Sequence, residues 1–232
     1  MAELFASFTE YLSTLPWLEL VAMLLALAYV ILAAQGSLWC WPAAFISTAL
    51  YTIVFYDVLL LMDSALNAYY LVMAVYGYWA WQKNTSTNTQ SQSVQSQNLQ
   101  SQKDQPTSSL AIVSWQASWH LRACLILAVI SLALGYVMAN YTPAVFPYLD
   151  TFTTVFAVFA TYLVVQKVLE NWLYWLVIDF VSIYLYVEKD LMPTAVLFMI
   201  YVVIAAYGYL KWQELYKLSK AKQINSSQPV TS

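Results

Sequence analysis

The chain has 232 residues, 62% of them hydrophobic and only 9% charged. Soluble domains carry about 25% charged residues, so a water-soluble globule is excluded and the chain reads as an integral membrane protein. The formal net charge of −3 identifies no partner class, and no nucleic-acid partner is expected.

Apolar runs suited to crossing a bilayer, each about 18–23 residues, fall near 17–34, 38–60, 63–82, 120–140, 148–166, 170–187 and 190–212. The first sixteen residues carry Glu3 and Glu10 and no base, the reverse of a signal peptide. The first helix opens on Glu19. The second holds Trp41 and Pro42, then Ser47, Thr48 and Tyr51 within one turn. It turns tightly around Asp57 to Asp63 into the third, where Asp63, Asn67, Tyr70 and Ala74 share one face at i, i+4, i+7 and i+11. That helix closes on YGYWAWQK.

Residues 84–109 are then almost wholly polar, and the segment 84–119 is expected to be a disordered cytoplasmic linker. His120 starts the fourth helix, and Asp150 lies in the first turn of the fifth. The sixth opens on ENWLYWLVID and carries Trp172, Trp175 and Asp179 at i, i+3 and i+7. The seventh follows a tight turn around Glu188 to Asp190 and closes on YGYLKWQE, before a basic tail over 215–232.

The two aromatic-glycine closures are 131 residues apart, and the same offset runs backwards without a gap. Tyr76, Gly77, Tyr78, Trp81 and Gln82 meet Tyr207, Gly208, Tyr209, Trp212 and Gln213. Trp41 meets Trp172, Glu19 meets Asp150, and Thr48 meets Asp179. An interfacial aromatic belt would explain recurring Trp and Tyr, but not the matched glycines and carboxylates. The fold class expected is therefore all-α, seven transmembrane helices in 3+1+3 parallel repeats. Residues 1–83 form the first repeat, 120–147 a linking fourth helix and 148–214 the second repeat. The fourth helix restores direction, so both copies enter the membrane the same way. Parallel repeats are a transporter plan, with the substrate site near midplane where the copies meet.

Seven crossings with the C-terminus inside put eight of the nine Lys and Arg residues at the inner side, leaving only Lys189 outside. The positive-inside rule selects that orientation, N-terminus out.

Polar groups at membrane depth are expensive and mark function or interhelical bonding. Asp179 has no base at i±3 or i±4 and none in another helix interior. Either neighbouring hydroxyls hold it as structural glue, or its missing partner is a cationic substrate. Two indoles on the same face suit a flat aromatic cation. Asn67 could read a hydrogen-bonding edge of a ligand or bond another helix. Trp172, Trp175, Asp179, Asn67, Tyr70, Thr48 and Tyr51 are the candidate substrate-binding residues. Glu19 and Asp150 complement the partial charges at their helix starts. No P-loop, HExxH or Ser-His-Asp arrangement is present. With one histidine and two scattered cysteines, neither a metal nor a cofactor is expected.

WLE at Trp17 to Glu19, YGYWAW at the end of the third helix and ENWLYWLVID resemble the PnuC family of bacterial vitamin transporters across nearly the whole chain. The resemblance implies a SWEET-like helix arrangement, a homotrimer, the bacterial inner membrane and facilitated diffusion of an unphosphorylated vitamin. A cytoplasmic vitamin kinase would trap the product. The family's best-known substrate is nicotinamide riboside. Here Asn67 stands where glutamine is expected, Ala74 replaces a polar residue and Asp179 replaces an asparagine. Those departures favour thiamine narrowly, with nicotinamide riboside the alternative. An intramembrane enzyme or sensor subunit is the rival from another class.

Overall fold

The computed structural model describes residues 17–57, 61–95, 112–189 and 191–226. They form seven helices: α1 (Trp17–Ala34), α2 (Cys40–Asp57), α3 (Leu61–Gln95), α4 (Ala117–Tyr141), α5 (Pro147–Val165), α6 (Asn171–Glu188) and α7 (Met192–Ser226). Asp190 and the side chains of Asp57 and Asp63 lie outside the described residues.

Four helices meet both the length and the hydropathy of a membrane span: Trp17–Ala34, Ala117–Tyr141, Pro147–Val165 and the Thr194–Ala221 part of α7. α2 and α6 are less apolar because Ser47, Thr48, Asp179 and Ser182 on them face an internal cavity rather than lipid. α3 runs well past its expected end near residue 82, continuing helical to Gln95. No glycine or proline lies between Gly77 and Pro106 to stop it. The fourth helix likewise starts at Ala117, ahead of His120.

The packing repeats itself. α1 lies on α2 and α2 on α3, as α5 lies on α6 and α6 on α7. The two groups meet through α1 against α7 and α3 against α5, which are again mated contacts. α4 packs on α5 through a seam of small residues, where a Cβ on Gly135 would stand 2.5 Å from the Tyr148 ring. Its other sides expose Leu121, Leu125, Ile126, Val129 and Leu132, as a lipid-facing helix does.

The glycine of each YGY word seats an indole. A Cβ on Gly77 would lie 2.4 Å from Trp41, and one on Gly208 2.7 Å from Trp172. The tryptophan that follows each YGY word reaches across to the other helix group. Trp81 Nε1 donates to the Val165 carbonyl at 3.0 Å, and Trp212 Nε1 to the Ala33 carbonyl at 3.1 Å. The four buried indoles form a chain, Trp41 edge-on to Trp81, Trp81 beside Trp212, and Trp212 edge-on to Trp172.

α1 and α5 end alike. Ser37 N–H bonds the Leu32 carbonyl and Gly36 N–H that of Ala33, while Val168 bonds Leu163 and Lys167 bonds Val164. Both are Schellman closures, which place their C′ residue in the left-handed region. Gly36 has φ 71° and Lys167 φ 51°. Beyond the polar tract, Val113 pairs with the α5–α6 turn (Val113 N–H to Lys167 O at 3.1 Å, Leu169 N–H to Val113 O at 2.8 Å).

Candidate functional site

A cavity of about 1260 Å³ lies between the two helix groups. Its lining is paired at the 131-residue offset: Trp41 with Trp172, Thr48 with Asp179, Tyr51 with Ser182, Asn67 with Phe198, Glu19 with Asp150. All seven residues singled out in the sequence, Thr48, Tyr51, Asn67, Tyr70, Trp172, Trp175 and Asp179, line this one space.

Asp179 is the chemical centre. It sits mid-helix on α6, only 4% exposed, and lines the cavity. Among the described residues no Lys, Arg or His lies within 4 Å of its carboxylate. Tyr70 on α3 and Tyr201 on α7 are both close enough to interact with it electrostatically. These tyrosines are themselves mates at the same offset. The offset from Tyr70 is the sequence signal for Tyr201, which lies outside the seven candidates.

The other polar groups are partly committed. Thr48 donates its hydroxyl proton back to the Ala44 carbonyl at 2.8 Å, leaving oxygen lone pairs able to accept. Ser47, the residue before it, is buried and donates to the Ala22 carbonyl of α1 at 2.8 Å, fastening two helices. Ser182, one turn beyond Asp179 on the same face, is buried and also lines the cavity. Its spacing from Trp175 and Asp179 was the signal that would have found it.

Trp175 is half-buried, bridges the two apolar clusters of the core and presents to the cavity. Trp172 is more deeply set, 2% exposed, and with Trp41 floors the cavity where α1 and α5 end. The indole N–H groups of Trp41 and Trp172 find no acceptor among the described residues, unlike those of Trp81 and Trp212.

At the opposite end, Glu19 and Asp150 both lie in first turns, as their helix-start positions suggest, and both line the cavity. Asp150 does more than complement a helix terminus, since Lys189 pairs with it at 3.1 Å. His120 lies at the start of α4, its Nδ1 3.0 Å from the Tyr174 hydroxyl and its Nε2 3.6 Å from Glu170, within reach of no metal-ligating group of three among the described residues.

Such a space fits a flat, positively charged guest. The buried acid supplies the countercharge, aromatic rings supply faces, and surrounding hydroxyls supply hydrogen bonds.

The description "Nicotinamide mononucleotide transporter" belongs to the family model that matches residues 16–214. The nicotinamide riboside transporter PnuC of Escherichia coli K12 is 22% identical over 204 residues, covering 85% of each chain. The riboflavin/roseoflavin transporter RibM of Streptomyces davaonensis is 23% identical over 214 residues, 91% of this chain and 90% of that one. In structure, the chain is similar to the crystal structure of the vitamin B3 transporter PnuC, with a TM-score of 0.64 at 20% identity over 93% of this chain and 89% of that one.

Proposed function

Because the chain belongs to the nicotinamide mononucleotide transporter family, we propose that it carries nicotinamide riboside across the bacterial inner membrane by facilitated diffusion. It is a multi-pass membrane protein and a vitamin transporter rather than an enzyme or sensor, and the relatives named above are all transporters. The observation that carries the reading of a cationic cargo is the buried carboxylate of Asp179, with no Lys, Arg or His within 4 Å among the described residues, facing a cavity between mated helix groups. The relatives' names carry the choice of vitamin.

The narrow preference for thiamine gives way. Both vitamins are flat cations, so Asp179 and the indoles do not separate them. A ribose needs several hydrogen-bond partners, and the cavity supplies hydroxyls beyond the seven candidates, notably Tyr201 and Ser182. Relatives named for nicotinamide riboside point the same way.

In this reading the mated groups are 3+1+3 parallel repeats that rock against each other around a fixed site. Asp179 pairs with the pyridinium, Trp175 and Trp172 provide ring faces, and Tyr70, Thr48, Tyr51 and Asn67 address the carboxamide and ribose. The N-terminus lies outside and the C-terminus in the cytoplasm, where a vitamin kinase makes uptake one-way. The homotrimer implied by the family resemblance belongs to the same proposal.

The test is equilibrium binding to the purified protein, followed by tryptophan fluorescence, with nicotinamide riboside, thiamine, riboflavin and uncharged nicotinamide. Nicotinamide riboside should bind at least tenfold tighter than the other three. Thiamine or riboflavin binding more tightly would overturn the substrate assignment.

A further inference from the structure

The cavity's floor is not the end of the protein. Trp41 and Trp172 line the cavity, whereas Trp81, Trp212 and Lys167 lie beyond them and do not. All five side chains are buried. Lys167 places its ammonium 3.9 Å from the centre of the Trp81 ring, and among the described residues no carboxylate lies within 4 Å of it. A charged amine so enclosed takes its main compensation from the aromatic face.

The backbone adds an independent observation. Lys167 is the mate of Gly36 at the 131-residue offset, and both occupy the left-handed C′ position of the same helix closure. Glycine adopts that conformation freely, and an L residue with a long side chain does not. Around Gly36 nothing lies within 4 Å of an added Cβ, so crowding is not what distinguishes the two sites. The lysine is strained where its counterpart is relaxed, and its side chain points inward onto the indole layer rather than out to water.

We propose that Lys167 is the plug of this closed end: its ammonium sits on the Trp81 face that a transported organic cation must use to leave. The plug rests on the transport reading only in treating the cavity as a path. A resident cation repels an approaching one and denies it the ring, so the exit opens only when Lys167 leaves its seat. Because the mate is glycine, the device belongs to one half alone and makes the two ends of the repeat functionally unequal.

Cys40 reports on the seat. It is fully buried in the cluster that contains Trp41 and Trp81, and its thiol interacts electrostatically with the Lys167 amine. With Cys124 replaced by serine, Cys40 is the chain's single thiol. The experiment measures, by mass spectrometry of the full-length protein, the rate at which Cys40 reacts with a small trimethylammonium thiosulfonate and with its sulfonate counterpart.

In Lys167→Gly, which takes the backbone conformation without strain, the cationic reagent should react at least tenfold faster than with Lys167 present. In Lys167→Met, which keeps an unbranched stem and loses the charge, the ratio of cationic to anionic rates should rise at least tenfold. Equal cationic rates in the Lys167 protein and in a folded Lys167→Gly variant would overturn the plug. So would acceleration of both reagents by the same factor in Lys167→Met, which would mark a packing role. These rates require no vitamin, so their failure is separable from a wrong substrate assignment.

Discussion

Gly208 lies against the indole of Trp172 so closely that a Cβ there would meet ring atoms at 2.7 to 2.8 Å. The contact joins α7 to α6 directly beneath the cavity and sets the tilt of a ring that floors it. Its mate, Gly77 under Trp41, is tighter still at 2.4 Å. Gly208→Ala and Gly77→Ala should each destabilise the protein by about 1–3 kcal/mol through overpacking, despite alanine's better helix propensity. Thermal unfolding in detergent checks this, and a gain in stability for either would mean the rings can move aside.

Asp179→Asn removes the countercharge while keeping shape. Binding of nicotinamide riboside should weaken by about 1–3 kcal/mol, with binding of uncharged nicotinamide changed little. Trp175→Ala should cost a similar amount by removing a ring face of about 1–2 kcal/mol plus its packing. Titration of both ligands against each variant separates the two roles. An equal loss for charged and uncharged ligands in Asp179→Asn would return the acid to structural glue.

Trp212→Phe and Trp81→Phe each strip one buried carbonyl, Ala33 or Val165, of its indole donor. The Ala33 carbonyl keeps the Gly36 N–H, so Trp212→Phe should cost less than Trp81→Phe, which takes from the Val165 carbonyl its indole donor at about 1–3 kcal/mol. Because the two rings lie against each other, the loss in the double variant should depart from the sum of the two single losses. A loss confined to one of them would show that only one half depends on the crossing.

The α5–α6 turn supplies a pH signature. Burial lowers the Lys167 amine to about 8 from 10.5, opposed in part by the nearby Cys40 thiol. Below pH 8 both folded and unfolded chains hold the proton, and the folded state bears the whole cost of enclosing it. Between 8 and 10.5 the unfolded chain binds a proton that the folded chain has released, so stability rises with pH across that window. The unfolding temperature of the Lys167 protein should therefore climb relative to Lys167→Met between pH 7 and 10. A constant difference would mean the amine is in contact with water.

The polar residues that line the cavity are legible in the sequence because a membrane protein cannot hide its polar residues cheaply. Asp179, Asn67 and Thr48 stood out against apolar neighbours, and the 131-residue offset carried the mated helices. The same offset held Tyr70 with Tyr201 and Gly36 with Lys167, but a tyrosine in an aromatic-rich chain carries little signal, and a glycine facing a lysine reads as mismatch. Only the shared helix closure shows that they occupy the same backbone position. The Asp150–Lys189 pair is invisible for another reason: two residues 39 apart meet where the end of α6 runs back past the start of α5, which no local pattern specifies. The length of α3 is not legible from polarity, because a polar tract without glycine or proline carries no helix stop.

The most direct measurement is uptake by liposomes holding the purified protein, with nicotinamide riboside kinase and ATP inside. Labelled nicotinamide riboside should accumulate well above its external concentration, and Asp179→Asn should reduce the initial rate at least tenfold. Absence of accumulation by the folded native protein, or accumulation undiminished in Asp179→Asn, would contradict a carrier that holds its cation at that acid.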